Sequence, residues 1–97
     1  MRTSEFRFQF TADVDLAEAE NTLRLSLLAA EGLHGEAKVR TEVTYAVDPI
    51  RAEIRVSGSA PAEATAQIYT SLLSHEFGRE AFTVRREPET AVAAAAA

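Results

Sequence analysis

The sequence predicts an α+β domain: two helices on one face of a four-stranded antiparallel sheet whose strands are ordered 4-1-3-2. Three observations carry that expectation. Four segments alternate apolar and polar residues with period two, the mark of strands with one buried and one solvated face. Two other segments space their apolar residues by three and four, the mark of amphipathic helices. In chain order these read β-α-β-β-α-β, and the first half of that order echoes in the second.

Residues 5–10 set Phe6, Phe8 and Phe10 on one side and Arg7 and Gln9 on the other, a half-buried first strand. Asp15 with Glu18 fits a capping-box-like helix start, each carboxylate meeting a backbone N–H that the first turn leaves unpaired. Asp13 and Thr11 compete for that role. Leu16, Ala19, Leu23, Leu27 and Ala30 form the buried stripe of this helix, and Gly32 is its expected stop. The second strand is the longest, 36–47. Ala37, Val39, Thr41, Val43, Tyr45 and Val47 share one face, and Lys38, Arg40, Glu42 and Thr44 share the other.

Asp48-Pro49-Ile50-Arg51 suits a type I turn, with Pro in its second position. It leads into a third strand with Ala52, Ile54 and Val56 inward and Val47 opposite Ala52. Ser59 stands where it would cap the second helix, with Pro61 in the first turn, where a missing N–H is harmless. The expected inner stripe is Ala64, Ile68, Leu72 and His75, and Gly78 ends the helix. Residues 81–85 form the last strand, with Phe82 and Val84 inward. The folded domain is thus expected over 1–87, followed by a disordered Ala-rich tail, 88–97, because alanine alone buries too little to fold.

The two helical segments align without a gap at an offset of 45, pairing Ala17/Ala62, Glu18/Glu63, Ala19/Ala64, Ser26/Ser71, Leu27/Leu72, Leu28/Leu73 and Glu31/Glu76. Element order and echo together point to the split-βαβ, ferredoxin-like architecture. Families on that fold can be tested against the residues. A heavy-metal chaperone domain needs a CxxC loop, and the chain has no Cys. An acylphosphatase carries a Gly-rich phosphate loop after the first strand, where this chain reads Thr11-Ala12-Asp13-Val14-Asp15. RNA-recognition domains stack bases on aromatics of the open sheet face, whereas Phe6, Phe8 and Phe10 fall on the core side.

Composition narrows function by exclusion. The chain has 97 residues, a formal charge of -5 from 10 basic and 15 acidic residues, and 46% apolar residues, so it reads as one globular domain. Lack of Cys removes disulfides, thiolate metal sites and a cysteine nucleophile. No apolar run is long enough to span a bilayer, and the N-terminus has no signal-like apolar region, so a cytoplasmic location is expected. Nine Arg against one Lys, with abundant Ala, fit a high-GC bacterial genome.

Candidate sites follow from the same pattern. His34 and His75 are the two imidazoles. They fall near the ends of antiparallel helices, about 25 Å apart, far beyond the roughly 2 Å of a metal–nitrogen bond. No metal or cofactor is expected, and no nucleophile, base and orienter stand in a recognisable pattern, so no enzyme is expected. The open sheet face is expected to carry Arg7, Gln9, Lys38, Arg40, Glu42, Glu53, Arg55, Thr83 and Arg85, mildly basic beneath an acidic helical layer. The long 36–47 edge is a template for strand pairing. The expected function is a small interaction module that self-associates, as a homodimer or larger, or docks a protein. It would use that edge, through Lys38, Arg40, Glu42 and Thr44, or the charged sheet face. A nucleic-acid-binding domain using Arg7, Arg40, Arg55 and Arg85 is the alternative, and a small-ligand binder or enzyme without a recognisable motif is the third.

Overall fold

The computed structural model describes residues 3–88. Apart from Pro88, the tail at 88–97 lies outside the described residues. Chain order is β1 (Ser4–Phe10), α1 (Leu16–His34), α2 (Glu36–Glu42), β2 (Val43–Asp48), β3 (Glu53–Gly58), α3 (Ala60–Glu76), a short 3-10 turn (Arg79–Ala81) and β4 (Phe82–Pro88). The four strands form one antiparallel sheet ordered β2-β3-β1-β4, the expected order read from the other edge.

The strands alternate as their side chains require. Phe6, Phe8, Phe10, Ile54, Val56 and Phe82 turn inward and meet Ala19, Leu23, Ala30, Ala62, Ala66, Tyr69 and Leu73 of the two long helices. Phe8 has no exposed surface, and its ring centroid lies 4.7 Å from that of Tyr69 in a tilted pair. Burial of that one phenyl is worth about 3 kcal/mol, and it sits on β1, which like β3 is paired on both sides. Asp15 caps α1 as expected, accepting from the Ala17 N–H at 2.9 Å.

The expected strand over 36–47 is wrong for its first seven residues. Residues Glu36–Glu42 form a third helix, and only Val43–Asp48 pair with β3. The pairing limit explains the break. Val43 already faces Gly58, the last residue of β3, so a strand beginning at 36 would have no partner. As a helix the same residues do better. Glu36 and Arg40 pair at 3.2 Å one turn apart, the Thr41 hydroxyl donates to the Ala37 carbonyl at 2.8 Å, and Val39 is buried in the core.

Three smaller expectations also shift. Helix α1 runs past Gly32 to His34 and ends at Gly35, whose φ of 93° suits a residue without Cβ; its N–H donates to Glu31. The hairpin loop is 49–52, so Val47 faces Ile54 and not Ala52. The Asp48 carboxylate accepts from the N–H groups of Ile50 and Arg51, and Ala52 takes a left-handed φ of 52°, which adds the extra residues to the loop. In α3 the buried face is Pro61, Ala62, Thr65, Ala66, Tyr69 and Leu73, whereas Ala64, Ile68 and Leu72 are half-buried and His75 is exposed.

That rotation moves the internal echo. The buried residues of the two long helices coincide at a spacing of 43, not 45: Ala19/Ala62, Thr22/Thr65, Leu23/Ala66, Ser26/Tyr69 and Ala30/Leu73. The Thr65 hydroxyl donates to the carbonyl four residues earlier, and the Thr22 oxygen lies 3.1 Å from the equivalent Glu18 carbonyl. The larger number of identities at 45 comes from Ala and Leu recurring along any amphipathic helix. It does not track the faces that pack.

Candidate interaction surfaces

The outward side of the sheet is striped. Across β2-β3-β1-β4, the strand register lines up Ala46, Arg55, Arg7 and Arg85 in one row. On one side lies the row Thr44, Ser57, Glu5 and Glu87, and on the other Asp48, Glu53, Gln9 and Thr83. Three arginines standing directly opposite one another repel, and the adjacent carboxylates offset that repulsion. Arg7 lies 2.9 Å from Glu5 and 3.4 Å from Glu87, and Arg85 lies 3.5 Å from Glu87. The guanidinium of Arg7 is accordingly held above its ordinary pKa, by the hydrogen bond to Glu5 first and the charge of Glu87 second. Arg55 has no ion-pair partner among the described residues.

This face therefore carries Arg7, Arg55 and Arg85 against Glu5, Asp48, Glu53 and Glu87, so the mildly basic sheet expected from the sequence is not there. The balance changes twice: Glu5, Asp48 and Glu87 join this face, and α2 takes Lys38, Arg40 and Glu42 from it. Lys38 and Arg40 sit on that helix, away from the open face, and Arg40 pairs with Glu31 at 3.8 Å and with Glu36. Glu42 accepts a short hydrogen bond from the Ser59 hydroxyl, tying the end of α2 to the start of α3, so Ser59 spends its side chain there and not on its own helix. Thr44 alone of Lys38, Arg40, Glu42 and Thr44 lies on β2, exposed. Of Arg7, Arg40, Arg55 and Arg85, three share a row and Arg40 does not join them. The exposed edge is correspondingly six residues long.

At the pole where β1 hands over to α1, Thr11, Asp13, Val14, Phe77, Glu80 and Ala81 line an open depression of about 350 Å³. Its polar lining is Thr11, Asp13 and Glu80. His34 and His75 close α1 and α3, and among the described residues no group of three or more His, Asp or Glu is placed to hold a metal ion. No helix among the described residues is long and apolar enough to cross a membrane.

Beside β2, the Tyr45 phenol donates to Glu20 at 2.9 Å, and Arg24 reaches the same oxygen at 3.2 Å. The Arg24 guanidinium is held above its ordinary pKa, first by its contact with Tyr45 and then by Glu20. This polar seam joins α1 to β2 and marks one side of a surface that the sequence reading missed. On the solvent side of α1, Leu25 and Leu28 are each 60% exposed and Leu33 is 71% exposed. Ala29 and Gly32 lie between them, also exposed, and nothing stands within 4 Å of a Cβ built on Gly32. These residues recur at three- and four-residue spacing, so they form one stripe on the helix surface.

The signal was in the run Leu23-Arg24-Leu25-Ser26-Leu27-Leu28, which puts leucine all round the helix, and a helix apolar all round is one covered on more than one side. Helix α3 supplies the internal comparison. It buries the same positions, yet where α1 has Leu28 and Leu33 it has Ser71 and Glu76, both exposed. Leu25 and Ala29 correspond to the half-buried Ile68 and Leu72, so Leu28 and Leu33 are what sets the outer face of α1 apart.

No protein-family model matches the chain, and no curated protein matches it.

Proposed function

We propose that this chain is a small non-enzymatic interaction module that works through the outer face of α1. One observation carries the reading: Leu25, Leu28 and Leu33 are well exposed on α1, and at two of the three corresponding positions α3 is polar, with Ser71 and Glu76 against Leu28 and Leu33. Stranding leucines in water is unfavourable, and contiguous apolar surface on a soluble domain marks an interaction site. The order β-α-β-β-α-β, with α2 added between α1 and β2, supports reading the scaffold as a ferredoxin-like variant. Such a scaffold presents α1 rigidly, because its other faces are locked into the core and to Tyr45.

A photo-crosslinking residue at position 28, in the cells the gene comes from, tests this. A covalent protein adduct is expected at 28 and not at position 67, where α3 carries exposed Gln67. No adduct at 28 above the level at 67 overturns the reading.

A second reading rests on the row Arg55, Arg7 and Arg85, which offers a line of guanidinium groups to a polyanion. Binding of labelled RNA or DNA that weakens steeply with salt and is lost in Arg55→Glu would support it. The carboxylate rows on both sides favour the first reading.

A further inference from the structure

We infer that the occupant of the α1 face is a second copy of this chain, packed so that the two α1 helices run antiparallel about a twofold axis near Ala29. The inference rests on the interaction-module reading and adds the identity of the partner. Self-complementarity is its first support. A twofold contact must use one patch on both sides, with each residue pair occurring twice. With the axis between Leu28 and Ala29, Leu28 of one copy meets the partner's Ala29 and Leu25 meets the partner's Gly32, each pair occurring twice. Gly32 has no side chain, and nothing stands within 4 Å of a Cβ built on it, so it leaves room for that leucine. Leucine against small residue, repeated by the axis, forms a surface that fits its own copy.

Charge supplies the second support. Glu18 stands on the same face as Leu25, toward the N-terminal end of α1, and is exposed without an ion-pair partner among the described residues. After α1 ends, a single residue leads into α2, where Lys38 is exposed and also lacks an ion-pair partner among the described residues. Antiparallel docking brings the acidic end of one copy to the Lys38 end of the other, twice. A parallel arrangement would set Glu18 against Glu18. The same geometry places the negative end of each helix dipole beside the positive end of the other.

Sedimentation equilibrium of the purified full chain tests the pairing. A dimer is expected at about 0.1 mM, and Leu28→Lys, at an exposed position, should raise its dissociation constant at least about tenfold without loss of helical circular dichroism. Lys38→Glu alone should weaken the dimer about threefold, and adding Glu18→Lys to it should restore the original value. A chain that stays monomeric at that concentration overturns the inference, as does a dimer indifferent to Leu28→Lys. An unrestored charge-swap pair overturns the antiparallel register. If the chain is monomeric while position 28 still crosslinks to a different protein in cells, self-pairing fails and the module reading stands.

Discussion

The Tyr69 phenol of α3 donates a 2.7 Å hydrogen bond to the Ala19 carbonyl of α1, while its ring packs on Phe8 of β1. One side chain thereby ties the two long helices to each other and to the central strand. Tyr69→Phe keeps the ring and removes only the hydroxyl, so a loss of about 1 kcal/mol in urea-unfolding free energy is expected. A loss near that of Tyr69→Ala, about 4 kcal/mol, would mean that the hydroxyl holds the ring in place.

The same phenol makes stability depend on alkaline pH. Burial pushes its pKa above the ordinary 10.0, and the negative charges of Glu76 and Glu20 push it further. A group whose folded pKa is raised contributes stability that is fully present below its ordinary pKa and is lost as pH rises toward the folded value. Unfolding free energy should therefore fall above pH ~10, by up to about 1.4 kcal/mol per pH unit, and Tyr69→Phe should remove that slope. A variant with the wild-type slope would assign it to another group.

Thr22 and Glu76 link the start of α1 to the end of α3. The threonine oxygen lies 2.9 and 2.8 Å from the two carboxylate oxygens. A double-mutant cycle with Thr22→Val and Glu76→Ala should give a coupling of about 1 kcal/mol. Coupling below the error of the cycle would show that the pair is not formed in solution.

Gly58 is where β3 passes closest to the end of α2. A Cβ built there would collide with the Glu42 carbonyl oxygen, and the residue's φ is 150°. Gly58→Ala must displace backbone, so a loss of more than about 2 kcal/mol is expected in thermal or urea unfolding. A stability equal to wild type would contradict the close approach of the Glu42 backbone to Gly58.

Ala52 points the other way. Its left-handed φ of 52° costs a residue with Cβ about 1 kcal/mol, and Ala52→Gly should remove more than it adds in unfolded-chain entropy. A rise of a few degrees in Tm is expected for a domain of this size.

What could be read in advance divides along physical lines. Phe6, Phe8 and Phe10 announced β1 because three aromatics at period two have one way to be buried together. Asp15 announced its helix because a cap acts within two residues. Residues 36–42 were misread because Val39, Thr41 and Val43 alternate like a strand, and nothing local records that β3 stops at Gly58. The α3 stripe was misplaced by one position because Ile68 and Leu72 read as strongly apolar as Tyr69 and Leu73, and the rest of the buried face, Ala62, Thr65 and Ala66, carries little apolar signal. The row of three arginines depends on the pairing register across β3, β1 and β4, which is set by long-range contacts. The leucines of α1 were visible, but only the fold could separate those it buries from those it leaves outside.

The helix at Glu36–Glu42 has a consequence for how the chain avoids misassembly. Read as an extended segment, 36–47 sets Val39, Thr41, Val43, Tyr45 and Val47 on one face with no proline or glycine to interrupt it, a template for pairing with another strand. Winding its first half into α2 leaves only the six residues of β2 as strand, one short of the seven in β4 at the other edge, and withdraws Val39 into the core. The fold acts here as its own gatekeeper. A substitution that melts α2 would release an aggregation-prone strand before it unfolded the domain, so damage to this short helix should register first as loss of solubility.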